Sequence, residues 1–134
     1  MSVEEHKEIV RAYVNAFNRG DLPTLRTLFT PDALIYGVLG WGSMDKVEPI
    51  WRMLHDSLAM ELTIEEMIAA GDTVAVRYTE RGTSKGEFLG QPPTGKSYEV
   101  VAMEWFVFKD GLIHRRWGAR DSAAEARQMG LKLE

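Results

Sequence analysis

The run from Ser97 to Arg120, SYEVVAMEWFVFKDGLIHRRWGAR, constrains the fold more than any other part of the chain. Two stretches rich in β-branched and aromatic residues flank Asp110-Gly111. Asp-Gly is among the dipeptides that accept positive φ at both central positions of a tight turn. The pattern predicts an antiparallel hairpin with a two-residue loop. With Lys109 facing Leu112, Glu104 opposes Trp117, Phe106 opposes Arg115, and Ala102 opposes Ala119. Asp121 has the parity of Trp117, so Glu104, Trp117 and Asp121 are expected on one face. His114 has the opposite parity and is expected on the other face with Trp105 and Val107.

Glu104 is the single carboxylate within VVAMEWFVF. Apolar residues on both parities predict that both faces of this strand are covered. An ionised carboxylate buried alone costs several kcal/mol, so Glu104 must be paired, protonated or turned toward a wet pocket. Arg115, a diagonal neighbour in the expected register, is within reach of it.

The first half of the chain has a different period. Ser2 and Glu5 have capping-box spacing, Ile9, Val10, Tyr13, Val14 and Phe17 recur at helical intervals, and Gly20 stops the helix. Asp21 caps a second short helix in DLPTLRTLF, with Pro23 in its first turn. DALIYGV reads as a short strand and Gly40–Gly42 as a loop. Ser43 caps a third helix to about Leu58, burying Ile50, Trp51, Leu54 and Leu58. ELTIEEMIAA and TVAVRYTERGTS add two strands before the hairpin, and SAAEARQMG closes the chain as a short helix. Helices followed by a curling antiparallel sheet make an α+β layout, and residues 1–134 fit a single domain.

Composition narrows the chemistry. The 134 residues include no cysteine, which rules out disulfides, thiolate nucleophiles and cysteine-ligated metals. A net charge of −4 argues against a nucleic-acid partner. The three histidines lack ligand spacing, so no metal site is expected. No apolar run approaches the roughly 20 residues of a membrane span, and the acidic start MSVEEHKEI is no signal peptide. A cytoplasmic protein with no membrane partner is expected. GQPPTGKS, residues 90–97, matches the phosphate-loop pattern G-x-x-x-x-G-K-[ST]. A strand rather than a helix follows it, and Pro92 and Pro93 carry no N–H for a phosphate, so no nucleotide is expected.

GEFLGQPPTGKSYEV, FKDGLIHRRWGARD and RQMG together resemble the SnoaL-like polyketide cyclase (ester cyclase) family. That family belongs to the nuclear transport factor 2-like superfamily, which also holds the ketosteroid isomerases. The opening VRAYVNAFNRGDLPTLRTLFTPDA is similar in the superfamily's manner. The resemblance implies a cone-shaped, curved antiparallel (mixed) sheet wrapped around three N-terminal helices, the nuclear transport factor 2-like (cystatin-like) fold. An apolar pocket is implied inside it, and a convex sheet face that commonly dimerises.

The resemblance also assigns roles. Asp121 falls on the aspartate that these cyclases use as acid/base. Glu104 falls where they place a histidine, and where the isomerases place a protonated aspartic acid. Tyr13 aligns with the isomerases' oxyanion-hole tyrosine, while Gly37 stands where they carry their general base. The implied reaction has Asp121 take a proton alpha to a carbonyl while Glu104, as a neutral acid, and Tyr13 hold the enolate oxygen. Intramolecular aldol ring closure follows, with no metal or cofactor. An N-cap role is the alternative for Asp121, although Ser122 and Glu125 have their own capping-box spacing and would leave it free. Trp41, Trp51, Phe17, Phe88, Phe106, Trp117, Arg115 and His55 are the candidates to line a pocket for a small apolar ligand. Met103, Trp105 and His114 are expected at a homodimer interface on the convex face. The rival function is a protein of this fold that binds a small hydrophobic ligand without chemistry.

Overall fold

Helix α1 (Val3–Arg19) begins where Ser2 Oγ accepts from the Glu5 N–H and Glu5 reaches back to the Ser2 N–H. It ends at Gly20, φ 72°, a left-handed cap that glycine adopts without strain. The computed structural model describes residues 2–132. Asp21 caps the short α2 (Leu22–Arg26) by accepting from the Thr24 N–H. Strand β1 (Phe29–Gly37) follows, then β2 (Gly40–Gly42), α3 (Met44–Leu58), β3 (Glu61–Ala70), β4 (Thr73–Thr83), β5 (Ser97–Lys109), β6 (Leu112–Arg120) and α4 (Ser122–Met129). Gly40–Gly42 is thus a short strand paired with β1 rather than a loop. Ser43 stands at the α3 N-cap, but its side chain makes no capping bond.

The strands form one six-stranded sheet in the order β2-β1-β6-β5-β4-β3. Only the β1–β6 pairing is parallel, so the sheet is mixed, and it does not close. Irregularities in the β1–β6, β3–β4 and β5–β6 ladders add the local twist that curves it. Helices α1 and α3 pack against the concave face. Their apolar stripes bury Val10, Tyr13, Phe17, Trp51, Leu54 and Leu58, each full burial of an aliphatic or aromatic side chain contributing about 1.5–3 kcal/mol. None of the described helices is long and apolar enough to cross a membrane.

The hairpin forms as its turn predicts, with Asp110 at φ 52° and Gly111 at φ 79°. Lys109 faces Leu112 and Phe108 faces Ile113, but a β-bulge then shifts the register. Beyond it Phe106 opposes Arg116, Trp105 opposes Trp117 and Glu104 opposes Gly118, while Ala102 opposes Arg120. A one-residue slip exchanges the two faces of a strand. Trp117 therefore lies outward beside Trp105, and Arg116 replaces Arg115 on the inner face. The extra residue is His114, whose ring bonds Thr30 Oγ1 at 2.8 Å and lies 3.6 Å from Asp32. The bulge allows Ile113 and Arg116 both to turn inward, where each is buried. The expectation that both faces of β5 are covered also needs correction: Val101, Met103 and Trp105 are each about half exposed on the outer face.

Candidate active site

Along β4 the inward positions are Val74, Val76, Tyr78 and Glu80; along β5 they are Tyr98, Val100, Ala102, Glu104 and Phe106. Beneath α1 and α3 these strands enclose a cavity walled by Phe17, Ile35, Val47, Trp51, Leu54 and Leu62, with Gly37–Gly40 at the end where Val38 reaches solvent. The cavity volume is about 50 Å³, room for several waters when one needs ~10–15 Å³.

Glu104 is the polar centre of this wall. Its Oε1 accepts from the Tyr78 hydroxyl at 2.8 Å and its Oε2 from the Tyr13 hydroxyl at 3.1 Å. Arg116 Nη1 lies 2.8 Å from the same Oε2. Both charged side chains are nearly enclosed, at 11% and 7% exposure. Tyr13 is held edge-on by Phe106, Phe29 and Trp51. Burial, and then the Glu104 charge, push the Tyr13 and Tyr78 hydroxyls well above the usual phenol range, so both stay protonated donors. Burial works against the Arg116 charge, but Glu104 together with Tyr13 and Tyr78 more than offsets it and holds the guanidinium above its usual range. This is the geometry of a carboxylate ringed by donors. Both tyrosine hydroxyls donate to Glu104 in this arrangement.

Gly118 makes the Arg116–Glu104 contact possible. It sits opposite Glu104, and a Cβ built on it would overlap Arg116 Nη1 and lie 3.4 Å from Glu104 Oε2. The arginine therefore folds back over a position with no side chain, its guanidinium 5.7 Å from the Trp51 ring centre.

A second charged group adjoins the first. Fully buried Glu80 accepts from the Tyr98 hydroxyl at 2.6 Å and from Arg120 Nε at 2.8 Å. Glu125, projecting from α4, lies 3.7 Å from the same Arg120 nitrogen, and its Oε2 is buried with no hydrogen-bond partner. Burial and the neighbouring Glu80 charge raise the Glu125 carboxyl to about 7. Among the described residues no cluster of three or more His, Cys, Asp or Glu side chains is placed to hold a metal ion.

Of the residues singled out from sequence, Glu104, Tyr13, Phe17 and Trp51 line the cavity, and Phe106 packs behind Tyr13. The others lie elsewhere. Asp121 is exposed and caps α4, accepting from the Ala124 N–H at 3.0 Å, so the Ser122–Glu125 capping box does not form. Trp117 and Trp41 stack on the two faces of Tyr36 outside the cone. The His55 ring lies against Gly20, where an added Cβ would come within 2.7 Å of it. Phe88 is buried in its own loop, bridged to Gln91, and Arg115 donates to the His114 and Asp32 carbonyls. His114 is tied to β1 by the bulge and is not part of the outer patch.

Tyr78, Arg116, Gly118, Glu80 and Arg120 are cavity residues that the sequence reading passed over. The alternation in TVAVRYTE could have placed Tyr78 and Glu80 on the apolar parity. Nothing in the sequence marks the bulge that turns Arg116, Gly118 and Arg120 inward.

A curved mixed sheet with helices across its concave face, enclosing an apolar cavity with buried ionisable side chains, defines the fold class: α+β, of the nuclear transport factor 2-like, ketosteroid isomerase-like fold. The chain belongs to the SnoaL-like polyketide cyclase family, whose model matches residues 7–129. Among solved structures it is similar to IdmH of Streptomyces antibioticus, a candidate polyketide cyclase. That protein is 30% identical over 93% of this chain and 98% of its own, with a TM-score of 0.83. AclR of Streptomyces galilaeus, a candidate hydroxylase, is 26% identical over 96% of this chain and 98% of its own, with a TM-score of 0.87. A protein of ketosteroid isomerase-like fold from Catenulispora acidiphila is 19% identical over 93% of this chain and 94% of its own, with a TM-score of 0.80, a likeness of fold alone. No curated protein sequence matches the chain.

Proposed function

We propose that this chain is a cofactor-free acid–base enzyme acting on a small apolar carbonyl compound held in the cavity. The observation that carries the reading is a carboxylate, Glu104, set in an apolar cavity between two tyrosine hydroxyls and a guanidinium. Glu104 takes a proton from the carbon alpha to the carbonyl, leaving an enolate. A protonated Glu104 needs fewer donors, which frees Tyr13 or Tyr78 to donate to the enolate oxygen. The enolate carbon then attacks a second carbonyl of the same molecule, forming a carbon–carbon bond, and the new alkoxide recovers the proton from Glu104. The base is thus Glu104; Asp121, exposed and engaged as a helix cap, is the rival assignment. A cytoplasmic site of action belongs to the same proposal. So does a second copy of the chain on the convex face, around Met103, Trp105 and Trp117.

Exchange of alpha protons tests this without knowledge of the natural substrate. A small cyclic ketone in deuterated water, followed by proton NMR, should exchange faster in the presence of the wild-type chain. Glu104→Gln should lower the catalysed rate by about 10²- to 10⁴-fold, and Asp121→Asn should leave it unchanged. Loss in Asp121→Asn alone would transfer the base to that residue. The second reading, a binder without chemistry, is favoured by one observation: both Glu104 oxygens are already engaged by protein donors. Ketone binding with no exchange above background would establish it.

A further inference from the structure

We infer that the free edge of the Arg116 guanidinium is an anion-binding site of the cavity, fitted to the carboxylate of a small apolar carboxylic acid. Glu104 engages Arg116 through Nη1. In a guanidinium the Nε–H and one Nη2–H point the same way and form the fork that meets both oxygens of a carboxylate. That fork is the edge turned away from Glu104. Its Nε is buried with no hydrogen-bond partner, in a residue only 5% exposed. Nη2 lies beneath Gly37 at the solvent end of the cavity, 4.0 Å from where a Cβ on Gly37 would stand.

A buried N–H left without an acceptor is destabilising, the more so when it is charged. A ligand supplying two oxygens in the fork plane removes that cost and adds two charge-assisted bonds. The surrounding wall, Phe17, Ile35, Val47 and Leu54, suits an apolar remainder. A phosphate, more strongly hydrated and without an apolar remainder, leaves this wall unfilled. This site stands whether or not Glu104 performs chemistry.

Calorimetric titration of the wild-type chain with isobutyrate and cyclopentanecarboxylate, against their matched amides, provides the test. The acids should bind about ten- to a hundredfold more tightly than the amides, the value of one or two bonds to a charged donor. The paired variant Arg116→Met/Glu104→Met, which leaves no orphan charge, should bind acid and amide alike. Should that variant not fold, the wild-type chain still answers. The Arg116 Nε–H resonance, identified by its absence in Arg116→Lys, should move on saturation with either acid. Equal binding of acid and amide by the wild type, no acid binding at millimolar concentration, or an unmoved Nε–H resonance would overturn the assignment. Acid binding without alpha-proton exchange would sink the enzymatic reading and leave this one standing.

Discussion

At Gly118 the missing side chain is what lets Arg116 turn back to Glu104, so this glycine is fixed by close approach rather than by its backbone angles. Alanine there would displace the guanidinium, because the atom it meets is the mobile end of a long side chain. Breaking a buried ion pair from one side costs about 3–5 kcal/mol. Tyr13 and Tyr78 would still donate to the abandoned carboxylate, which puts the expected loss for Gly118→Ala near ~2–3 kcal/mol. Urea denaturation measures it. The same substitution in the Arg116→Met/Glu104→Met background should cost under about 1 kcal/mol, because no pair remains to break. Equal losses in the two backgrounds would show that Gly118 answers to the backbone instead.

Helix α4 is tied to the sheet through Glu125, which reaches under the start of the helix toward Arg120 of β6 and Glu80 of β4, with Tyr98 of β5 on the far side of Glu80. One guanidinium serves two carboxyls, and the second keeps its proton to about pH 7. The folded chain therefore binds this proton more tightly than the unfolded chain, whose glutamate titrates near 4.5. Stability from this group is fully present below about pH 4.5 and declines as pH rises to about 7. Above that the loss is constant, at roughly 3 kcal/mol. Glu125→Gln keeps the shape without the charge. It should match wild-type stability near pH 4 in urea titrations and exceed it by up to ~3 kcal/mol near pH 8. Parallel pH profiles for the two proteins would refute the latch. The elements, β2 excepted, were legible beforehand, because caps, helical stripes and the Asp-Gly turn act over a few residues. The site was legible only in part: Glu104 and Tyr13 stand out as polar groups in apolar patterns. Their partners depend on a bulge at His114, whose ring meets Thr30 across the sheet, far away in sequence.

Across the whole molecule the two faces of the sheet carry unequal burdens. The concave face is filled by helices and two charged groups, while the convex face carries a line of aromatics. Register places Trp41, Tyr36, Trp117 and Trp105 in succession over four neighbouring strands. Trp41, Trp117 and Trp105 remain 58%, 42% and 51% exposed, and Met103 and Ile68 extend the patch at 53% and 62%. Monomeric proteins rarely leave a contiguous apolar area beyond a few hundred Å² in water, and a sheet face related to itself by a twofold axis is the simplest cover. Glu66 and Arg77 lie beside the patch, opposite in sign and paired in register, so two copies meeting face to face can exchange these partners. The proposed dimer should therefore sediment as one species at micromolar concentration. Trp105→Glu places one charge per copy near the centre of the patch. It should shift the chain to monomer with its fold retained, since that side chain supports nothing in the core. A wild-type chain that sediments as a monomer at that concentration would remove the second copy and leave the aromatic line uncovered.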